Sequence, residues 1–406
     1  MKEEQIIILK SKRGKMNRQT ISFKYLIYLI LIYSYVVLTN VKINRVLNVN
    51  ESIRTIILLI FCCYGIIYLI NVMLSAKILI LEGVLIIHTI YMLINLYVGP
   101  QTLSSDILYI IYLPLTYLAS RFVFKKYLQH ERTLEVVIFI VQICFFISYF
   151  LNRIINADLT VANTIYYQVC LLPQNIRAKS KIIRISSFMM VTFCVFFSAK
   201  RVAFLAWICC FIMIVMISCK FYKQKKQKKI IYIVISTIGL IFTIFIINSF
   251  ILSKYGVSIL DRMMKIRSDG GSGRNVILYT VIESLKKNNI KETLVGHGMC
   301  STATIENSIG AHNDFIEIYY REGIIGLILT LVVYSSGVRV IKKLKNIDMN
   351  LYYSFVTEAI IFILLMLFSQ ITYIASYNCF FTFELAYYVT TVVDRSKKYE
   401  RIQKTF

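Results

Sequence analysis

The apolar positions of this chain run in long blocks instead of alternating with polar ones, and the blocks have the length of membrane spans. A helix needs about 20 mostly apolar residues to cross a bilayer, and a helix satisfies its own backbone N–H and C=O groups in hydrocarbon. Blocks of this kind occupy 21–39, 55–74, 77–98, 107–124, 134–151, 185–199, 202–219, 230–252, 322–341, 352–373 and 376–393. A twelfth, 159–174, is shorter and carries Thr160, Asn163, Thr164 and Gln168, so it reads as a span enclosed by other helices or a tilted, partly broken one. The pattern predicts an all-α integral membrane protein of about 12 transmembrane helices. Its segments are a basic arm (1–20), nine spans with short connections (21–253), one long polar interruption (254–321), three further spans (322–393) and a tail (394–406).

Composition agrees with this class: 58% hydrophobic residues and a mean hydropathy of +0.67 require no separate soluble domain. The formal charge of +25 adds an orientation. Basic residues resist translocation, and with alternating spans most clusters fall on one side. These are Lys10–Arg18, Arg121–Arg132, Arg177–Arg184, Lys220–Lys229, Arg339–Lys345 and Arg395–Lys404. That side is expected to be cytoplasmic, with both termini there. Wedged between apolar blocks, these tracts act as topology signals, and no nucleic-acid partner is implied. The same alternation puts 254–321 outside the cytoplasm, together with the corner Ser198-Ala199-Lys200-Arg201. A Lys-Arg pair on the translocated side breaks the rule the rest obeys, and such a local exception often marks function.

Nine of the ten Cys lie in or beside apolar blocks, where they act as small hydrophobes; Cys300 alone falls in the long interruption, so neither a disulfide there nor a zinc site is expected. The basic arm leads into an apolar block long enough to span, so no cleavable signal peptide is expected. Within the interruption, Asp269-Gly270-Gly271-Ser272-Gly273-Arg274 is a turn feeding an amphipathic helix over Asn275–Lys287. Gly296-His297-Gly298 makes a second turn. Phe315, Ile316 and Tyr319 follow His312 at helical spacing, which places His312 near a helix start, where anions are favoured. Gly323 and Gly326 let the tenth span approach a neighbour closely.

The ordered set Ser198-x-Lys200-Arg201, Gly273-Arg274, Gly296-x-Gly298 and His312-Asn313-Asp314-Phe315, then Glu322-Gly323-x-x-Gly326, resembles the O-antigen ligase and O-antigen polymerase superfamily over about the C-terminal half. The resemblance implies a GT-C-like helical bundle in the bacterial cytoplasmic membrane. It also implies an undecaprenyl-diphosphate-linked glycan as donor, a hydroxyl acceptor, and polysaccharide-assembly proteins and membrane lipid as partners. Lys200 departs from the ligase branch, which often has Ser or Gly before the Arg, and looks more like repeat-unit polymerases. No cofactor or metal is implied. The first connection, 40–54, has no Asp-x-Asp pair of the kind a metal-dependent lipid-phosphate-sugar enzyme would supply there.

The chemistry of these residues can be stated independently. A diphosphate leaving group gathers negative charge as its bond to sugar breaks, and fixed cations stabilise that charge. Arg201 and Arg274 offer permanently charged planar forks; the plain alternative is that each reaches lipid headgroups. Lys200, and with it Ser198, is a candidate for binding substrate, though an ammonium reaches headgroup phosphate equally well. His312 is the candidate general base for the acceptor hydroxyl, against a histidine that only packs at a helix start. Asn313 is a candidate for positioning sugar hydroxyls. Asp314 orients His312 or caps the helix, and Gly296, His297 and Gly298 either present backbone amides to substrate or form a simple turn. Among buried charges, Glu82 is expected to snorkel or pair with Lys77, His88 to bond a neighbouring helix, and Glu384 to be structural or to line a polar cavity. The preferred reading is a polymerase of lipid-linked repeat units. A ligase is the near alternative, a lipid-linked-oligosaccharide flippase the competing class, and a non-enzymatic assembly partner a third.

Overall fold

The computed structural model describes residues 23–40, 51–74, 78–97, 104–127, 131–155, 164–221, 226–266, 268, 273–298, 302–305, 310–369, 371 and 375–403. The basic arm 1–20, Lys77, Asp269–Ser272 and Cys300 lie outside them. Sixteen α-helices are described: α1 (Phe23–Asn40), α2 (Glu51–Leu74), α3 (Ile80–Asn95), α4 (Ser104–Tyr127), α5 (Glu131–Ile155), α6 (Thr164–Arg177), α7 (Lys181–Ser198), α8 (Arg201–Phe221), α9 (Lys226–Tyr255), α10 (Ile259–Met264), α11 (Arg274–Leu285), α12 (Ile290–Val295), α13 (Asp314–Ile341), α14 (Leu344–Ile347), α15 (Met349–Phe368) and α16 (Ala375–Gln403). No β-strand occurs among the described residues. Among the described residues, six helical segments, in α5, α7, α8, α9, α13–α14 and α15, are long and apolar enough to cross a membrane. The protein is therefore all-α, with the helices of a multi-pass membrane protein.

Each apolar block of the sequence coincides over most of its described residues with a helix, and two depart instructively from it. The described part of the block 159–174 lies in the short α6, buried at every position from Thr164 to Ile176 and packed against α5, α7, α8 and α15. The block 322–341 is only the second part of α13, which already begins at Asp314. Several buried charged groups pair across helices, as a low-dielectric interior favours. The Arg121 guanidinium, expected in a basic turn, instead lies buried in α4 and donates to Glu82 (3.3 Å) and Thr390 (2.7 Å). Glu384 accepts from Gln174 (2.6 Å), and Glu358 from the Tyr388 hydroxyl (2.8 Å).

One anchor of the long interruption on the bundle is a break in α13. At Gly323 the backbone of α13 leaves the helical region (φ 65°, ψ −169°), which strands the preceding carbonyls. Each of the last three finds a donor from outside the helix. His297 N donates to Tyr320 O (2.9 Å), Asn95 Nδ2 to Arg321 O (3.0 Å) and the Tyr91 hydroxyl to Glu322 O (2.5 Å). The Glu322 carboxylate meets His88 Nε2 of α3 at 3.1 Å, the helix–helix bond expected of that histidine. Gly323 and Gly296 touch backbone to backbone: a Cβ on Gly296 would sit 2.4 Å from Arg321 O, and its φ is +76°.

Gly296→Ala is therefore expected to cost about 3 kcal/mol, combining about 1–2 for a left-handed non-glycine with about 1–3 for overlap. Gly256→Ala, also at positive φ but with open space around it, should cost only the smaller strain. Thermal unfolding of the two variants in detergent checks this; equal losses would remove the packing argument.

Candidate functional site

Two chain corners form the site, and each holds a non-glycine residue in the left-handed region, the only two such among the described residues: Ala199 (φ 50°) and His312 (φ 49°). That conformation costs on the order of 1–3 kcal/mol and persists where surrounding bonds over-determine it. At the first corner, Ser198 Oγ donates to Val195 O (2.9 Å) and accepts from Lys200 N (3.3 Å), turning the chain between α7 and α8. Ser198 is fully buried in this role. The turn presents Lys200, whose Nζ stands 5.0 Å from the Tyr166 ring centroid, and Arg201, the first residue of α8. Arg201 Nε and Nη2 donate to Arg262 O of α10 (2.8 and 2.5 Å), while Arg262 Nη1 donates back to Ala199 O (3.1 Å).

The second corner is built by an N-cap and a buried carboxylate. Asn313 Oδ1 accepts from Phe315 N (3.0 Å) and Ile316 N (3.2 Å), and its Nδ2 donates to Leu367 O (3.2 Å). The cap considered for Asp314 is thus supplied by its neighbour. Asp314 is buried and accepts from Ile371 N (3.1 and 3.2 Å), fastening the start of α13 to the chain beyond α15. Ala311 N donates to Thr302 Oγ1 (2.7 Å), Thr302 in turn bonds Glu317, and Glu317 accepts from Arg321 Nε (2.8 Å). Between these anchors the backbone at His312 has little freedom. Arg274 opens α11 after Gly273 (φ 77°) and donates through Nη1 to Phe368 O at the end of α15.

Both corners line one cavity of about 670 Å³. Lys200, Arg201, Arg262 and Arg274 contribute four cations to it, beside His312, Asn313 and Tyr166, and no described Asp or Glu lines it. The starts of three helices, α8, α11 and α13, meet there, and the first turns of α8 and α11 carry no acidic residue. Helix N-termini add partial positive charge to the side chains. Val202, Leu205, Met263, Leu278 and Leu367 make the remaining wall apolar, which raises the strength of every charge interaction inside. The His312 imidazole is partly exposed; burial lowers its pKa, and the Arg274 cation lowers it further while Glu317 opposes them. It is held more firmly neutral than an ordinary histidine at pH 7.

The structure thus brings together Lys200, Arg201, Arg274, His312 and Asn313 and leaves other candidates elsewhere. Ser198 and Asp314 shape the corners without lining the cavity. Gly296, His297 and Gly298 also lie off it: the His297 ring stacks on Tyr320 (4.3 Å between centroids), Nε2 meets Asn288 Oδ1 (3.0 Å), and the turn packs on the α13 break. Arg262 was not among the sequence candidates. The Ser258 cap marks a short helix there, but nothing in spacing separated Arg262 from Lys265, whose charge is spent on Asp261 (3.1 Å). No protein-family model and no curated protein matches the chain.

An acid-free cationic cavity of this kind should take inorganic pyrophosphate. Arg262→Gln is expected to weaken that binding about tenfold or more, the worth of one charged hydrogen bond, whereas Lys286→Gln, whose partner is the surface Glu283, should leave it unchanged. Titration calorimetry on the purified protein distinguishes the two; equal affinities would remove Arg262 from the site.

Proposed function

We propose that this chain is a membrane glycosyltransferase that polymerises undecaprenyl-diphosphate-linked repeat units into capsular, O-antigen or related surface polysaccharide. In this reading twelve spans alternate across the bacterial cytoplasmic membrane, both termini are cytoplasmic, and 254–321 lies at the outer face. The observation that carries it is one cavity that, among the described residues, is lined by four cations and one imidazole and by no carboxylate. The sequence resemblance supplies the identity of the donor, and the cavity's charge suits a diphosphate.

The chemistry follows from the groups present. The acceptor hydroxyl oxygen bonds to the anomeric carbon of the donor sugar as the bond from that carbon to the diphosphate oxygen breaks. The diphosphate leaves with the electron pair, and Arg201, Arg262, Arg274 and Lys200 stabilise its charge. His312 accepts the hydroxyl proton, a task its depressed pKa suits because the neutral form is the base. Asn313 is committed through Oδ1 to its cap and through one Nδ2 hydrogen to Leu367 O, which leaves the second Nδ2 hydrogen to donate to substrate.

Purified protein in lipid, given a synthetic lipid-linked repeat unit, should lengthen it, and His312→Ala should slow extension by about 10²–10⁴-fold with donor binding retained. Extension at the normal rate in that variant would sink the general-base assignment. A ligase would instead join preformed chains to a different acceptor in the same assay.

The pH dependence has a definite sign. Protonating His312 removes the base, so turnover falls on the acid side, at a pH below the ordinary histidine value because burial and Arg274 oppose the imidazolium. Arg274→Gln deletes one opposing charge and should move that acid limb upward, read from kcat/KM for the donor, which reports the free protein. An unmoved or downward-shifted limb would contradict the electrostatic coupling.

A further inference from the structure

A second cavity, about 230 Å³, lies between α13, α15 and α16, and no charged side chain lines it. Its floor is buried apolar surface, including Phe355, Phe362, Met366 and Tyr377. Its rim residues Leu331, Val338 and Ile363 are exposed, so the groove opens on the apolar outside of the bundle.

The groove shares a wall with the cationic cavity. Along α13, His312 and Asn313 line the cavity and Phe315 the groove; along α15, Met366 lines the groove and Leu367 and Phe368 the cavity. The wall is stitched by Asn313 to Leu367 O, by Asp314 to Ile371 N and by Arg274 to Phe368 O. Ile363 and Leu367, both exposed, stand one turn apart on the same face of α15, one in each cavity. An apolar strip therefore leads from the groove to the cations.

We infer that this groove holds the phosphate-proximal end of the donor's polyisoprenoid chain while its diphosphate occupies the cationic cavity, an inference that rests on the reading of that cavity given above. The groove excludes charge and adjoins four cations, which is the pattern an amphiphile with a long hydrocarbon tail and an anionic head requires. Its aromatic wall, with Phe315, Phe355, Phe362 and Phe381, presents flat faces to a chain stiffened by double bonds. Such a chain loses less conformational freedom on binding than a saturated acyl chain does.

Three photoreactive probes test this on the full chain in nanodiscs: a diazirine farnesyl diphosphate, the matching uncharged farnesol, and a diazirine phosphatidylcholine. The diphosphate probe should label peptides of α13, α15 and α16 around Phe362 and Phe381, and inorganic pyrophosphate should compete. The apolar helix α9, exposed along most of its length and buried at Ile251, should label weakly and serves as the internal reference. Labelling spread evenly over α9 and the groove, or equal groove labelling by phosphatidylcholine, overturns the inference even if pyrophosphate still binds. Groove labelling that neither needs the diphosphate nor yields to pyrophosphate overturns the pairing of groove with cationic cavity and counts against the cavity reading. Ala359→Trp, which fills the groove, should weaken farnesyl diphosphate binding about tenfold, the loss of roughly two buried methylenes, with pyrophosphate affinity unchanged. Ala359→Leu should do so to a smaller degree. Parallel losses for both ligands would show a structural effect and overturn the assignment.

Discussion

The break at Gly323 is the constraint on which the site depends. A helix interrupted in an apolar setting strands carbonyl oxygens, and a buried carbonyl without a partner costs as much as a lost hydrogen bond. Here Tyr91 and Asn95 of α3 and the backbone of His297 meet that demand. The same three contacts fix where the long connection departs from the bundle. From that point the eight residues Asp314 to Arg321 run as a rigid helical lead, with His312 at its end. Moving the break by one residue would rotate that lead by about 100°, since a helix has about 3.6 residues per turn, and would carry His312 away from Arg201 and Arg274.

Strain is gathered at the two places where it serves geometry. Ala199 and His312 sit in a conformation that L-residues avoid, and in both cases neighbouring hydrogen bonds hold them there: Ser198 and Arg262 at one corner, Thr302 and Asn313 at the other. A glycine at either position would relieve the strain, but at 312 it would also delete the imidazole. The cations are treated differently. Among their partners are main-chain carbonyls and an aromatic face, and no described Asp or Glu lines the cavity.

Much of this was legible in the chain because membrane helices announce themselves by block length. The apolar blocks are helical over most of their described residues, the turn at Gly273 does feed a helix, and Arg201, Arg274 and His312 do share a cavity although 111 positions separate the first from the last. What sequence patterns conveyed poorly was which polar residue answers which. Glu82 lies near Lys77 in sequence but pairs with Arg121 from another helix. Asn313 and Asp314 are both good caps, and only the approach of Ile371 N decides between them. Gly296-His297-Gly298 resembled a ligand turn because close backbone approach needs glycine whether the visitor is a substrate or, as here, the broken strand of another helix. Arg262 was hidden because its role arises from a cross-chain contact that no local spacing records.

The reciprocal grip between Arg201 and Arg262 is less symmetrical than it looks. Arg201 holds the carbonyl of residue 262, an atom that every amino acid presents, whereas Arg262 holds the carbonyl of residue 199 with its own side chain. Exchange of the side chain at 262 therefore removes one cation and one bond but leaves the seat of Arg201 in place. Exchange at 201 breaks the other half alone. Each charge is thus seated in part on a main-chain carbonyl, an acceptor that survives exchange of the side chain beside it.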